Sequence, residues 1–431
     1  MRLTAALFLS LLASPALADA VTYTGTIGKT PIVVEFTAPP KGAKAPFAGR
    51  YFYVSKGIDI PLEATRVGGR DFALTEEKPC TVDTCVTRDD GIVAKPPLGA
   101  KWQLALDRDG TTLTGKWTEA GRSQPVTLTL AGSRVLPDDS EISPMGLAAI
   151  SEAFIYDDQQ IAEDTAPYDY LRMQVPQQES AVTGWSGSSF RYLSDPRTKF
   201  PYPTVVALAG NADATAANSH LQARHWQLNS DAFRCQSLQY AGLGWEEVLA
   251  DAVGTLGGYE DEEVEVTALT PTVMSWTESG SLFCGGAHPY NHHSFYNLDV
   301  KTGQPLDLSR IFSGWLPKSY DDTPVDLDDA RTHPQDFIWG PDAELAAFVK
   351  AHRISDAELG LDANPNECGI DDLVDSNLAI SFKTGDRVLF ALDGLPNAIV
   401  ACGGDLHEAP IAELKKLLAP EAAKYFPSLD D

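Results

Sequence analysis

The stretch VTYTGTIGKTPIVVEF, residues 21–36, decides how the first third of the chain folds. Its two runs, VTYTGTI and PIVVEF, are β-rich and alternate in character, which is the signature of half-buried strands and not of a helix. The same texture continues through RYFYV, DIPLEA, DFALTEE, WQLALD, LTGKW and VTLTLA as far as Val135. Turn signals such as APPKG, RVGGRD, RDDG and DRDG separate these runs. Regular short strands with turns between them predict an antiparallel sheet that rolls into a small barrel or sandwich.

Outward from this region the character of the sequence changes twice. Before it, MRLTAALFLSLLASPALADA carries one basic residue, an apolar run and the small-x-small pattern Ala16-Leu17-Ala18, the mark of a cleaved secretory leader over 1–18. After it, LPDDSEISP is charged, short and closed by Pro144, and reads as a linker over 138–148. Residues 19–137 are then an all-β domain, and 149–431 an α+β domain. In the latter the pattern predicts a strand within IAEDTAPYDYLRMQVP, a long helix from about Ala212, and strands near Val264–Leu269 and Thr272–Phe283. The helix DAELAAFVKAHR, the strands LAISFKT and RVLFALD around Gly385-Asp386, and a last helix IAELKKLLAPEAAKYF complete it.

The 431 residues carry 33 Lys and Arg against 60 Asp and Glu, a net charge of −27, or −28 once Arg2 leaves with the leader. Such a field repels nucleic acid and anionic membrane surfaces and favours cations and basic proteins. No run after the leader approaches the ~20 apolar residues that a membrane-spanning helix needs, so no membrane insertion is expected after cleavage. Six cysteines in an exported chain predict disulfides. Spacing favours Cys80–Cys85, Cys235–Cys284 and Cys368–Cys402, in a periplasmic or secreted protein.

Several motifs invite chemistry. His288, His292 and His293 form H-x-x-x-H-H, but Pro289 and SFYNLDV argue for an extended chain. There His288 and His292 share a face about 13 Å apart, at ~3.3 Å per residue, and His293 faces away. No shared metal and no cofactor is expected, and H-E-x-x-H and the phosphate-cradling glycine loop are absent. Gly184-Trp185-Ser186-Gly187-Ser188 misses the hydrolase elbow by one glycine and lacks its strand–turn–helix frame. The acidic runs Tyr259 to Glu263, with Glu260 and Asp261, and Asp321-Asp322 followed by Asp326, Asp328 and Asp329 do not match a calcium loop. They are solvated faces that can receive a basic partner. His288, His292, Glu260, Asp261, Asp321 and Asp322 are therefore the candidate binding residues.

The segment CGGAHPYNHHSFYNLDVKTGQPLDLSRIF resembles the signature of an extracytoplasmic domain of pattern GGAHP followed by Y-N-x-D-x-x-T-G. RVLFALDGLPNAIVACGGDLHEAPIAELKKLL resembles its closing segment, and YDYLRMQVP with the long helix resembles the partner segment that precedes it. This domain is shared by PdaC-type polysaccharide deacetylases and lysozyme-sensing sigma-V anti-sigma factors, and in the latter it binds lysozyme, a small basic protein. The resemblance implies a non-enzymatic envelope protein that binds a basic, lysozyme-like hydrolase or cell-wall glycan. A hydrolase acting on envelope polysaccharide is the alternative. In this sequence LPNAIVACGGD stands where the family has a tyrosine-rich closing motif, and the deacetylase domain is missing.

Overall fold

The computed structural model of the protein describes residues 20–37, 48–81, 83–87, 93–136, 147, 151, 160–242, 259–282, 284, 290–319, 325–355, 357–359 and 368–429. The chain forms two compact units. One comprises Met1–Val175 with Ser237–Leu243, the other Pro176–Gln236 with Gly244–Asp431. The division thus falls after Val175, later than the change of texture near residue 137, and residues 237–243 return to the first unit. The leader over 1–18 and, apart from Leu147, the linker over 138–148 lie outside the described residues.

The first unit is a closed barrel of eight antiparallel strands. They are β1 (Ala20–Ile27), β2 (Thr30–Thr37), β3 (Ala48–Tyr53), β4 (Ile60–Gly68), β5 (Asp71–Glu77), β6 (Leu98–Leu106), β7 (Thr112–Glu119) and β8 (Arg122–Arg134). Each pairs with the next, and β8 closes on β1 with Ile27 opposite Val126 and Tyr23 opposite Leu130. All eight runs read from the sequence are strands, and closure decides for a barrel over a sandwich. It removes the unpaired edges that an open sheet exposes. Alternate residues fill the interior, among them Tyr23, Ile32, Val34, Tyr51, Leu62, Leu74, Trp102, Leu113 and Leu128.

One carboxylate sits inside. Glu76 Oε1 accepts hydrogen bonds from Tyr51 Oη at 2.7 Å, Trp102 Nε1 at 2.8 Å and Trp117 Nε1 at 2.6 Å, so the interior polar atoms satisfy one another. Tyr240, from the returning segment, packs against this core and donates to the Glu77 carbonyl at 3.0 Å. Its own carbonyl accepts from the Cys80 amide at 2.9 Å. Gly242 follows at φ +77°, where a Cβ would lie 2.3 Å from the Cys80 sulfur, so only glycine fits there.

On the outer face, α1 (Pro167–Met173) covers Val33 and Phe52 with Tyr168. The sequence pattern predicted a strand here. A proline in the first turn, Asp169 near the start and Arg172 near the end favour a helix instead, because they suit the orphan amides and the dipole. Under α1 three cations meet three carboxylates out of water. Arg50 lies 3.0 Å from Glu35 and 2.9 Å from Asp59, Arg134 lies 2.8 Å from Glu35 and 3.4 Å from Asp169, and Arg172 pairs with Asp59. Tyr168 donates to Asp59 at 2.7 Å and Ser151 to Asp169 at 2.8 Å.

The second unit is built on a four-stranded antiparallel sheet. Its main strands are β9 (Tyr259–Leu269), β10 (Val273–Leu282) and β11 (Tyr290–Asp299), with Gln304–Pro305 at the edge. One face packs under the helix α2 (Thr215–Ala241) through Val264, Val266, Met274, Trp276 and Leu298 against Leu221 and Leu228. The strands Ser188–Ser194 and Pro201–Ala207 add Phe190, Tyr202 and Val205 to this core. The other face, with Ala268 and Val273, meets a second core built on α3 (Ala343–His352), α4 (Ile370–Asn377) and the sheet β12 (Leu378–Lys383), β13 (Arg387–Leu392) and β14 (Gly404–Pro410). Asp342 caps α3 by accepting from the Glu344 and Leu345 amides, as an N-cap aspartate does.

The last helix read over IAELKKLLAPEAAKYF is absent. Short 3₁₀ turns at Ile411–Leu414 and Pro420–Lys424 stand in that run, where Pro420 interrupts any continuous α-helix, and a third follows at Pro427–Leu429. The three disulfides are Cys80–Cys85, Cys235–Cys284 and Cys368–Cys402, as spacing predicted. They point to an oxidising compartment. Among the described residues no helix is long and apolar enough to cross a membrane.

Candidate functional site

The strand β10 is buried along most of its length, so both of its faces have partners. Met274, Trp276 and Glu278 alternate onto the face under α2, while Val273 turns to the other core. A glutamate following two large apolar residues on that face must find donors or remain neutral. Glu278, 1% exposed, finds them. It accepts from Tyr202 Oη at 2.7 Å, Trp276 Nε1 at 3.0 Å and Arg224 Nη2 at 2.7 Å. Arg224 comes from α2, stays 28% exposed, donates to Tyr296 Oη at 3.0 Å and lies over the Tyr296 ring. Burial alone would raise the Glu278 carboxyl, but the Arg224 charge and these hydrogen bonds hold it below the usual glutamate range.

One residue pair further along the ladder stands a second carboxylate. Register places Glu262 opposite Gly280 and Gly280 opposite His292, so all three lie in one row across β9, β10 and β11. With no side chain on the central residue, the outer two meet above it, and His292 Nε2 lies 3.3 Å from Glu262 Oε1. The Glu262 side chain is wholly buried and that of His292 is 13% exposed. Burial pushes the Glu262 carboxyl up, with Glu278 adding to it and His292 opposing. Glu262 Oε2 and His292 Nδ1 are both buried without a hydrogen-bond partner among the described residues. Tyr290, 59% exposed, stacks on the His292 ring at 5.4 Å between centroids. Two carboxylates with opposed shifts, one arginine, one histidine and three tyrosines thus gather at one end of the sheet.

Of the residues singled out from the sequence, His292 belongs to this group. His293 faces the other way, against Phe295, as strand parity requires. Glu260 and Asp261 lie on β9, but the positions of their side chains are not described, and His288, Asp321 and Asp322 lie outside the described residues. Asp326 caps the helix Leu327–Thr332. Among the described residues no group of three or more His, Cys, Asp or Glu is placed to hold a metal. Ser186 and Gly187, at φ +46° and +86°, form the two-residue turn of a hairpin that pairs Trp185 with Ser188, which is not a nucleophile elbow.

The sequence reading put Glu262 in a solvated acidic run, but the structure buries it on the face under α2, and Glu278, Arg224, Tyr202, Trp276 and Tyr296 were missed. Alternation carried a signal for two of them, since Glu262 shares parity with Val264 and Val266, and Glu278 with Met274 and Trp276. No family model matches this chain, and a search of curated proteins finds no relative.

Proposed function

We propose that the protein is an exported, non-enzymatic binding protein of the cell envelope whose second unit receives a basic protein of the lysozyme type. The observation that carries this reading is Glu262 Oε2, an acceptor buried with nothing to accept from, in a chain of net charge −27. An unsatisfied buried acceptor costs about 1–3 kcal/mol, and a lysine or arginine reaching it recovers that cost. Displacement of the Tyr290–His292 stack opens the path, and the exposed Tyr290 ring then covers the stem of the incoming side chain. The resemblance of CGGAHPYNHHSFYNLDVKTG to the lysozyme-sensing domain supports the same partner class.

The test is retention of the full chain on immobilised lysozyme. Retention at low ionic strength, release by salt and weakening by Glu262→Gln are expected. No retention at low ionic strength, or equal retention of the variant, counts against the reading. Because the cation needs the carboxylate, binding strengthens as pH rises through the elevated Glu262 titration.

A second reading rests on the opposed shifts of Glu262 and Glu278, the pattern of an acid–base pair in a polysaccharide hydrolase. It is the weaker, because Tyr202, Trp276 and Arg224 already occupy Glu278. Cleavage of peptidoglycan fragments, lost in Glu262→Gln, would promote it.

A further inference from the structure

Away from the carboxylates, the second unit holds a cavity of about 360 Å³ beside the first half of α2. Its size lies at the lower end of small-ligand sites, which run from about 300 to 1,000 Å³. In a chain so rich in acid, the described residues of its lining include no Asp, Glu, Lys or Arg. Tyr202 and Trp226 supply aromatic walls, Leu193, Pro203 and Leu221 add apolar ones, and His225 with hydroxyl and amide side chains supplies the polar groups.

These polar groups differ in what they have left to offer. Asn218 is spent, because its side chain bonds Thr204 and both backbone groups of Val205, which makes that wall rigid. Gln222 is exposed, and its amide makes no hydrogen bond with another described residue. His225, 5% exposed, stacks on Tyr202 and donates to the Phe200 carbonyl, while its Nε2 is buried without a partner among the described residues. The Phe200 bond fixes the ring proton on Nδ1, so Nε2 is left as an acceptor. Desolvation pushes the ring down to about 4, which keeps it neutral.

The wall therefore offers aromatic faces, an amide able to donate and accept, and one neutral acceptor, with no charge to pair an ion. We propose that this cavity binds a neutral saccharide ring, with Trp226 as the stacking surface and Gln222 and His225 as hydrogen-bond partners to its hydroxyl groups. A purely apolar ligand would bury the exposed Gln222 amide and leave His225 Nε2 unsatisfied, and an ionic one would lose its hydration without a counter-charge. A sugar, with an apolar ring face and a rim of hydroxyls, meets both demands. This site is independent of the Glu262 reading and stands whether or not a basic protein binds.

The probes are the trimer of N-acetylglucosamine and maltotriose, titrated into the full chain with calorimetry and tryptophan fluorescence as readouts. Saturable binding of at least one is expected by about 10 mM, since a 1 mM dissociation constant corresponds to only about 4 kcal/mol. Gln222→Ala, at an exposed position, is expected to retain the melting temperature and weaken binding several-fold, and Trp226→Ala to weaken it about tenfold or more. Binding is expected to be unchanged by added salt and by Glu262→Gln. Absence of saturable binding for both probes, or equal binding by the parent and both variants, overturns the proposal.

Discussion

His225 and Glu262 show how one buried atom sets the behaviour of its surroundings. His225 titrates at about 4 in the folded chain because burial disfavours its charged form, against 6.5 when unfolded. Its folded value is depressed, so the unfolded chain takes up the proton first as pH falls. The stability it supplies is complete above pH 6.5 and is lost progressively down to about pH 4, on the order of 3 kcal/mol in all. Denaturant titrations of the full chain between pH 7 and 4.5 should show this slope, and His225→Phe should flatten it. An unchanged slope would mean that the ring protonates in place. Glu262 was half legible in the sequence. Alternation puts it on the apolar side of its strand, but its meeting with His292 depends on which residues oppose Gly280, and two hairpin registers decide that.

Among the elements, the barrel strands were legible because each needs only local alternation and a turn. The helix α1 was not, since seven residues give barely two turns of periodicity. What holds it in place is a charge cluster assembled from Glu35, Arg50, Asp59, Arg134 and Asp169, which are far apart in the chain. Removing one partner from such a cluster leaves an uncompensated buried charge, which costs about 3–5 kcal/mol. Arg50→Met should lower the unfolding free energy of the first unit by that much, and its denaturation midpoint with it, followed by tryptophan fluorescence at Trp102 and Trp117. A midpoint equal to the parent's would show that α1 is held by Phe52, Val33 and Tyr168 alone. Burial would raise Asp59, but Arg172 and Arg50 hold it below the usual aspartate range. Its contribution is therefore present at neutral pH and is lost only in acid beyond the window in which His225 acts.

For the whole molecule, the leader pattern set the expectation of export and the six cysteines that of disulfides, and the structure pairs all six. The sequence placed the domain change where its texture changed, near residue 137. Contacts follow different logic, because α1 and the segment Ser237–Leu243 complete the barrel from positions well past that point. A chain ended after Val175 keeps every barrel strand but loses Tyr240, with its packing and its links to Cys80 and Glu77. It is expected to unfold at lower denaturant than the first unit of the full chain, and Tyr240→Ala in the full chain should reproduce much of the loss. Equal midpoints would show that the returning segment adds nothing to the barrel.

The returning segment also has a consequence in time. Synthesis proceeds from the N-terminus at about 5–20 residues per second, so the chain between the last barrel strand and Tyr240 takes roughly 5 to 20 seconds to make. Through that interval all eight strands exist while the Tyr240 contact does not. The first unit is therefore finished well after its own strands, and its last fastening arrives only after much of α2 has been made.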